Sequence, residues 1–115
     1  MNITKFEEEQ LDELMLFLDE NLNENYERIV FLNIRKRWPE GFLTVIDGGK
    51  IVGTCCGAIL PNDKLRILIL VLKDEYQKRG IGKDLIERMI KASEIFGIKK
   101  KTICKIREFH QKMQK

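Results

Sequence analysis

Hydrophobic positions along the chain switch from helical to alternating spacing and back, and the switches mark out the elements. Asn2 to Phe6 is a short mixed segment read as a strand, after which Leu11, Leu14, Met15, Leu18 and Leu22 recur at helical spacing with acids on the other face. A second helix is expected from about Asn25 to Trp38, stopped by Pro39 and Gly41. The period then changes. Phe42 to Ile46 is β-branched and aromatic, Asp47-Gly48-Gly49-Lys50 supplies a tight turn, and Ile51 to Leu60 completes a hairpin. Pro61-Asn62-Asp63 turns the chain into Leu65 to Leu72, apolar on both faces apart from Arg66, as expected of a central strand. From Gly80 to Phe96, the residues Ile81, Leu85, Met89, Ala92 and Phe96 draw one buried helical stripe, closed by Gly97. Ile98 to Ile106 alternates in part and is expected to run parallel to the third strand, because a strand, helix, strand succession needs a crossover. Arg107 to Lys115 has the look of a further helix beginning. The fold class is α/β of the α+β type: an antiparallel meander followed by one crossover.

Composition sharpens this only in places. The 115 residues, 43% apolar and 34% charged with 2 Pro and 8 Gly, suit one soluble domain spanning 1–115 and exclude low-complexity and disordered classes. The longest run of large apolar residues is Ile67 to Leu72, far short of a membrane span, and no secretory start is present, so a cytoplasmic location without membrane contact is the expectation. Cys55 and Cys56 are neighbours, and with Cys104 they form no disulfide framework. The single histidine, His110, completes no zinc cluster, so no metal is expected. Charge is segregated: residues 1–28 carry a net −7 and residues 99–115 a net +6.

The chemically informative stretch runs from Leu70 to Leu85. A strand ends, a connector follows, and Gly80 and Gly82 open a helix. Free amides of the first helical turn and the positive end of the helix dipole make such a junction an anion cradle, and glycine admits phosphate oxygens to the backbone. Lys78, Arg79 and Lys83 add positive charge, and a pyrophosphate suits the site. A Walker A loop would need Gly at 77 and Ser or Thr at 84, where Gln77 and Asp84 stand. A Rossmann fingerprint would need Gly or Ala at 85, where Leu85 stands. A helix-hairpin-helix nucleic-acid module resembles Gly80 to Arg88 locally but wants a helix where the chain has the strand Leu65 to Leu72.

Gln77-Lys78-Arg79-Gly80-Ile81-Gly82 resembles, position by position, the acetyl-coenzyme A signature of the GNAT superfamily of N-acetyltransferases: Gln or Arg, two residues, Gly, one residue, Gly or Ala. The flanking segments and the element order of residues 1–106 resemble that family too. The resemblance implies a GNAT-like, mostly antiparallel sheet with helices on both faces, shortened at its C-terminal end relative to the family. Residues 1–41 would border the acceptor site, 42–106 would form the sheet and cofactor helix, and 107–115 a basic tail. It implies acetyl-coenzyme A as cosubstrate, held by Leu70, Val71 and Leu72 along the pantetheine arm and by Gln77, Lys78, Arg79, Gly80, Ile81, Gly82 and Lys83 at the pyrophosphate. The strand Leu65 to Leu72 would splay from Ile98 to Ile106 to open a wedge.

The implied reaction is acetyl transfer to a primary amine: a protein N-terminus, a lysine or a polyamine. Negative potential from the N-terminal segment would draw a cationic acceptor. Catalytic residues are not assignable from the sequence. No carboxylate lies on Leu65 to Leu72, and Glu75, Asp74 and Asp63 are poor bases. The family's tyrosine acid has no counterpart, and His110 falls where an asparagine would be. Tyr76 is expected to be a packing residue, Cys104 a core thiol, and Trp38 and Phe42 core or acceptor wall. The alternative function is a catalytically impaired coenzyme-binding or interaction module, and nucleic-acid binding is a distant third. A homodimer through the exposed edge of Ile98 to Ile106 is expected.

Overall fold

The computed structural model describes residues 1–22, 25–61, 64–95 and 102–105. Strand β1 (Asn2–Lys5) is followed by helices α1 (Leu11–Leu22) and α2 (Arg28–Arg37), strands β2 (Phe42–Asp47), β3 (Lys50–Leu60) and β4 (Lys64–Leu72), helix α3 (Ile81–Ile95) and strand β5 (Thr102–Lys105). The sheet runs in chain order, β1-β2-β3-β4-β5, antiparallel from β1 to β4 with β5 parallel to β4.

Two apolar layers sandwich the sheet. On one face Leu11, Leu14, Phe17, Leu18 and Leu22 of α1 and Phe31 of α2 pack on Phe42, Ile51, Cys56, Ile69 and Val71. Phe6 stacks on Phe42 at a centroid separation of 4.3 Å. On the other, Ile81, Leu85 and Met89 of α3 join Trp38, Leu43, Val45, Val52, Cys55, Leu70 and Leu72. The stripe of α3 thus lies where its spacing puts it. Phe42 and Trp38 are both core, 1% and 2% exposed.

The register is not uniform. Cys56 faces Ile69 and Gly57 faces Ile67, leaving Leu68 unmatched as a bulge on β4. Before it, Leu65 and Ile67 face α3. After it, Ile69 and Val71 face α1 and α2, while Leu70 and Leu72 face α3. One extra residue has swapped the faces of the strand. A second shift, between Val45 and Ile46, leaves Val52 unmatched on β3.

Several expected boundaries move. Phe6 leaves β1 although its amide still bonds the Phe42 carbonyl at 2.8 Å. The second helix starts at Arg28, not Asn25: Glu27 is its extended N-cap, and the Val30 amide bonds back to the Glu27 carbonyl. Gly80 lies outside α3, whose first bond runs from the Asp84 amide to the Gly80 carbonyl. Short 3-10 turns at Glu8–Gln10, Pro39–Gly41 and Asp74–Tyr76 were not visible in the spacing. Of the expected strand Ile98 to Ile106 the structure describes Thr102–Lys105, paired with Lys64 to Ile67. Phe96, Gly97, His110 and the basic tail lie outside the described residues, as does most of the edge on which a homodimer was expected. Among the described residues no helix is long and apolar enough to cross a membrane.

Candidate functional site

The site is built where β4 ends and α3 begins. The Lys73 amide donates to the Val52 carbonyl at 2.9 Å, which fixes the phase of the antiparallel ladder. Backbone groups of Ile69 and Val71 therefore point to β3, and those of Leu70 and Leu72 point to the opposite edge. Among the described residues β5 pairs that edge only as far as Ile67. Leu70 and Leu72 thus offer a strand edge beside the first turn of α3, and the bulge at Leu68 separates the paired part of β4 from this part.

Between them runs the connector. The Tyr76 amide bonds the Lys73 carbonyl and the Gln77 amide the Asp74 carbonyl, winding one 3-10 turn. Lys78 then takes φ 63° and Gly80 φ 80°. The left-handed value at Lys78 costs about 1 kcal/mol in a residue with a side chain. The amides of Ile81, Gly82 and Lys83 precede the first intrahelical bond and carry the positive end of the α3 dipole. A Cβ on Gly80 would meet nothing within 4 Å, and one on Gly82 only Leu72 Cδ1 at 3.9 Å. Packing within the protein does not require a glycine at 82. The open space in front of that backbone is the kind of cradle that phosphate oxygens fill and a side chain would obstruct.

Two side-chain bonds tie the connector down. Gln77 Nε2 donates to the Leu72 carbonyl at 3.0 Å, so the first residue of the motif braces the last residue of the strand. The Tyr76 hydroxyl donates to Asp47 Oδ2 at 2.5 Å, and the Arg79 guanidinium sits 4.9 Å from the centre of the Tyr76 ring. Tyr76 is therefore more than the packing residue expected of it, although its ring does lean on the α3-side core. The bond to Asp47, more than burial, raises the Tyr76 pKa and keeps its proton on oxygen. Asp47 sits 29 residues away, and no local pattern couples it to the motif.

The sequence profile of the acetyltransferase (GNAT) family matches residues 5–115. The chain belongs to that family. No curated protein matches the sequence. Its fold is shared with solved structures that include Ard1 from Thermoplasma volcanium, at 20% identity and a TM-score of 0.75 over 89% of this chain and 69% of that one. A GNAT-family acetyltransferase from Staphylococcus aureus Mu50 aligns at 22% identity and 0.73, over 96% of this chain and 76% of that one. Naa20 of Chaetomium thermophilum, solved with a bisubstrate analogue, aligns at 22% and 0.72, over 84% of this chain and 58% of that one. The described fold is thus the GNAT sandwich, with helices on both faces of the sheet.

On this GNAT fold the expected residues separate by position. Leu70 and Leu72 turn their backbones to the edge that no described strand covers, whereas Val71 turns its backbone to β3 and its side chain to the α1 and α2 layer. Gly80, Gly82 and Lys83 lie at the turn into α3, Ile81 beside them has a free amide and a buried side chain, and Lys78 and Arg79 are exposed just before them. The acids of the N-terminal segment are less free than their net charge suggested. Glu7 and Glu8 pair with Arg35 at 3.4 Å each, Asp12 pairs with Arg28, and Glu13 Oε2 accepts the Ile51 amide at 2.8 Å. Cys55 and Cys56 are buried free thiols, and burial pushes Cys56 up to about 12, so neither is poised as a nucleophile.

Proposed function

We propose that the protein binds acetyl-coenzyme A along the β4 edge and the α3 cradle and transfers its acetyl group to a primary amine. The observation that carries this is the adjacency of two preformed features among the described residues: the amide and carbonyl of Leu70 and the amide of Leu72 left without a backbone partner along one strand edge, and the amides of Ile81, Gly82 and Lys83 free at the helix that follows. An extended amide-bearing arm suits the first, and a pyrophosphate suits the second. Membership of the family supports the pairing.

On this reading Gly80, Gly82 and Lys83 seat the pyrophosphate, Lys78 and Arg79 neutralise it, and Gln77 acts on the strand end through the Leu72 carbonyl. The amide at Leu70 or Leu72 is placed to donate to a thioester carbonyl lying along the edge, stabilising the charge that develops there. The acceptor is a cationic amine, which reacts once neutral. Among the described residues Glu9, Asp19 and Glu20 form no ion pair, and they supply negative potential near α1. The test is release of coenzyme A thiol from acetyl-coenzyme A with a panel of amines: N-terminal peptides, lysine peptides and polyamines. Amine-dependent release is expected. Coenzyme A binding with no release from any amine would instead favour the binding-module reading.

A further inference from the structure

We propose that Tyr76 and Asp47 form a latch that presents the Arg79 guanidinium to a phosphate of the bound coenzyme, making Tyr76 a positioning residue. The proposal rests on the coenzyme reading above. Asp47 ends β2 and opens a hairpin turn whose next two residues, Gly48 and Gly49, take φ 59° and 76°, so its carboxylate is carried by a tight, well-defined corner of the sheet. From there it accepts the Tyr76 hydroxyl at 2.5 Å, and the ring stands 4.9 Å from Arg79 Cζ.

The arrangement sets Arg79 apart from the other arginines near carboxylates. Arg28, Arg35 and Arg88 each pair with acids, whereas Arg79 forms no ion pair among the described residues and rests on a neutral ring. A guanidinium held by a π face keeps its charge and its N–H groups available to an anion. A phenol donating to a carboxylate has a more electron-rich ring, which strengthens the hold on the cation. Arg79 also directly precedes Gly80, so the latch fixes a cation at the mouth of the amide cradle. The connector is thereby tied at two points: Gln77 to the strand end and Tyr76 to the hairpin.

Calorimetric titration of the whole chain with coenzyme A and with 3′-dephospho-coenzyme A tests this, using Tyr76→Phe, Asp47→Ala, Asp47→Asn, Arg79→Ala and the Tyr76→Phe/Asp47→Ala pair. Tyr76→Phe, Asp47→Ala and Arg79→Ala are each expected to weaken coenzyme A binding about three- to tenfold. The double variant should be no weaker than the worse single one, because both remove the same bond. Asp47→Asn keeps an acceptor oxygen and should regain most of the affinity. With acetyl-coenzyme A as substrate, KM should rise while kcat stays within about twofold. A loss that disappears with the dephospho compound assigns Arg79 to the 3′-phosphate, and one that persists assigns it to the pyrophosphate. Wild-type affinity in Tyr76→Phe and Asp47→Ala beside a weakened Arg79→Ala would overturn the latch alone. No binding by the wild-type chain would overturn the coenzyme reading beneath it. Thermal melts verify folding, and Asp47→Ala probes the latch without altering the ring.

Discussion

A Cβ on Gly82 would sit 3.9 Å from Leu72 Cδ1, ordinary van der Waals contact, with nothing nearer. Gly82→Ala should therefore fold as well as the wild type, within about 1 kcal/mol, and could gain from alanine's better helix propensity. Its affinity for coenzyme A should nevertheless fall, since the methyl projects into the cradle. Gly80→Ala differs: the residue sits at φ 80°, so the variant should lose about 1–2 kcal/mol of stability as well as affinity. Chemical denaturation and coenzyme titration of the two variants separate the effects.

Gly57 is the contrasting case, a glycine demanded by the fold. A Cβ there would lie 2.7 Å from the Arg66 carbonyl oxygen and 2.7 Å from Met89 Cε, and the carbonyl belongs to the paired part of β4. Gly57→Ala should cost about 1–3 kcal/mol and lower the melting temperature by about 4 °C or more. An unchanged melt would show that β3 and α3 pack less tightly there than the structure has them.

Glu13 acts on the fold before it acts on any ligand. Glu13→Ala removes the acceptor from the Ile51 amide beside the Val52 bulge and should cost about 1–2 kcal/mol in a urea titration. Exchanging Glu9, Asp19 and Glu20, which form no ion pair among the described residues, for their amides should leave stability within about 0.5 kcal/mol. The same triple change should weaken a cationic acceptor and flatten the salt dependence of its KM. An unchanged salt response would limit these acids to a solubilising role.

The buried thiols give a pH signature. Burial raises Cys56 to about 12, and burial followed by the neighbouring Cys56 raises Cys55, against an ordinary value of 9.0. A thiol whose pKa is higher in the folded state stabilises fully below the unfolded value and less as pH climbs above it. Stability should hold up to about pH 9 and then fall by up to about 1.4 kcal/mol per pH unit for each thiol. Denaturant melts of the wild type and Cys56→Ala across pH 8 to about 11 should show a shallower fall in the variant.

Much of this was legible in the chain because it is local. The stripes of α1 and α3, the Asp47 to Lys50 turn and the Gln77 to Gly82 motif each announce themselves within a few residues. The α3 stripe lands on the core as its spacing requires. The bulge at Leu68 was not legible, because six consecutive apolar residues from Ile67 to Leu72 look alike whichever face each takes. Glu13 with Ile51 and Asp47 with Tyr76 join residues far apart in sequence, and only the packed sheet brings them together. The charge count of the N-terminal segment misled for the same reason, since Arg28 and Arg35 of α2 absorb three of its acids.

The central claim is that the α3 cradle receives the phosphates of coenzyme A, and the most direct measurement is calorimetric titration of coenzyme A into the wild type and Gly82→Val. The account predicts single-site binding by the wild type and at least about a tenfold loss in the variant, from displaced charge-assisted bonds to backbone amides, with both proteins folded. Equal affinity in the two proteins, or no binding by the wild type, would contradict it.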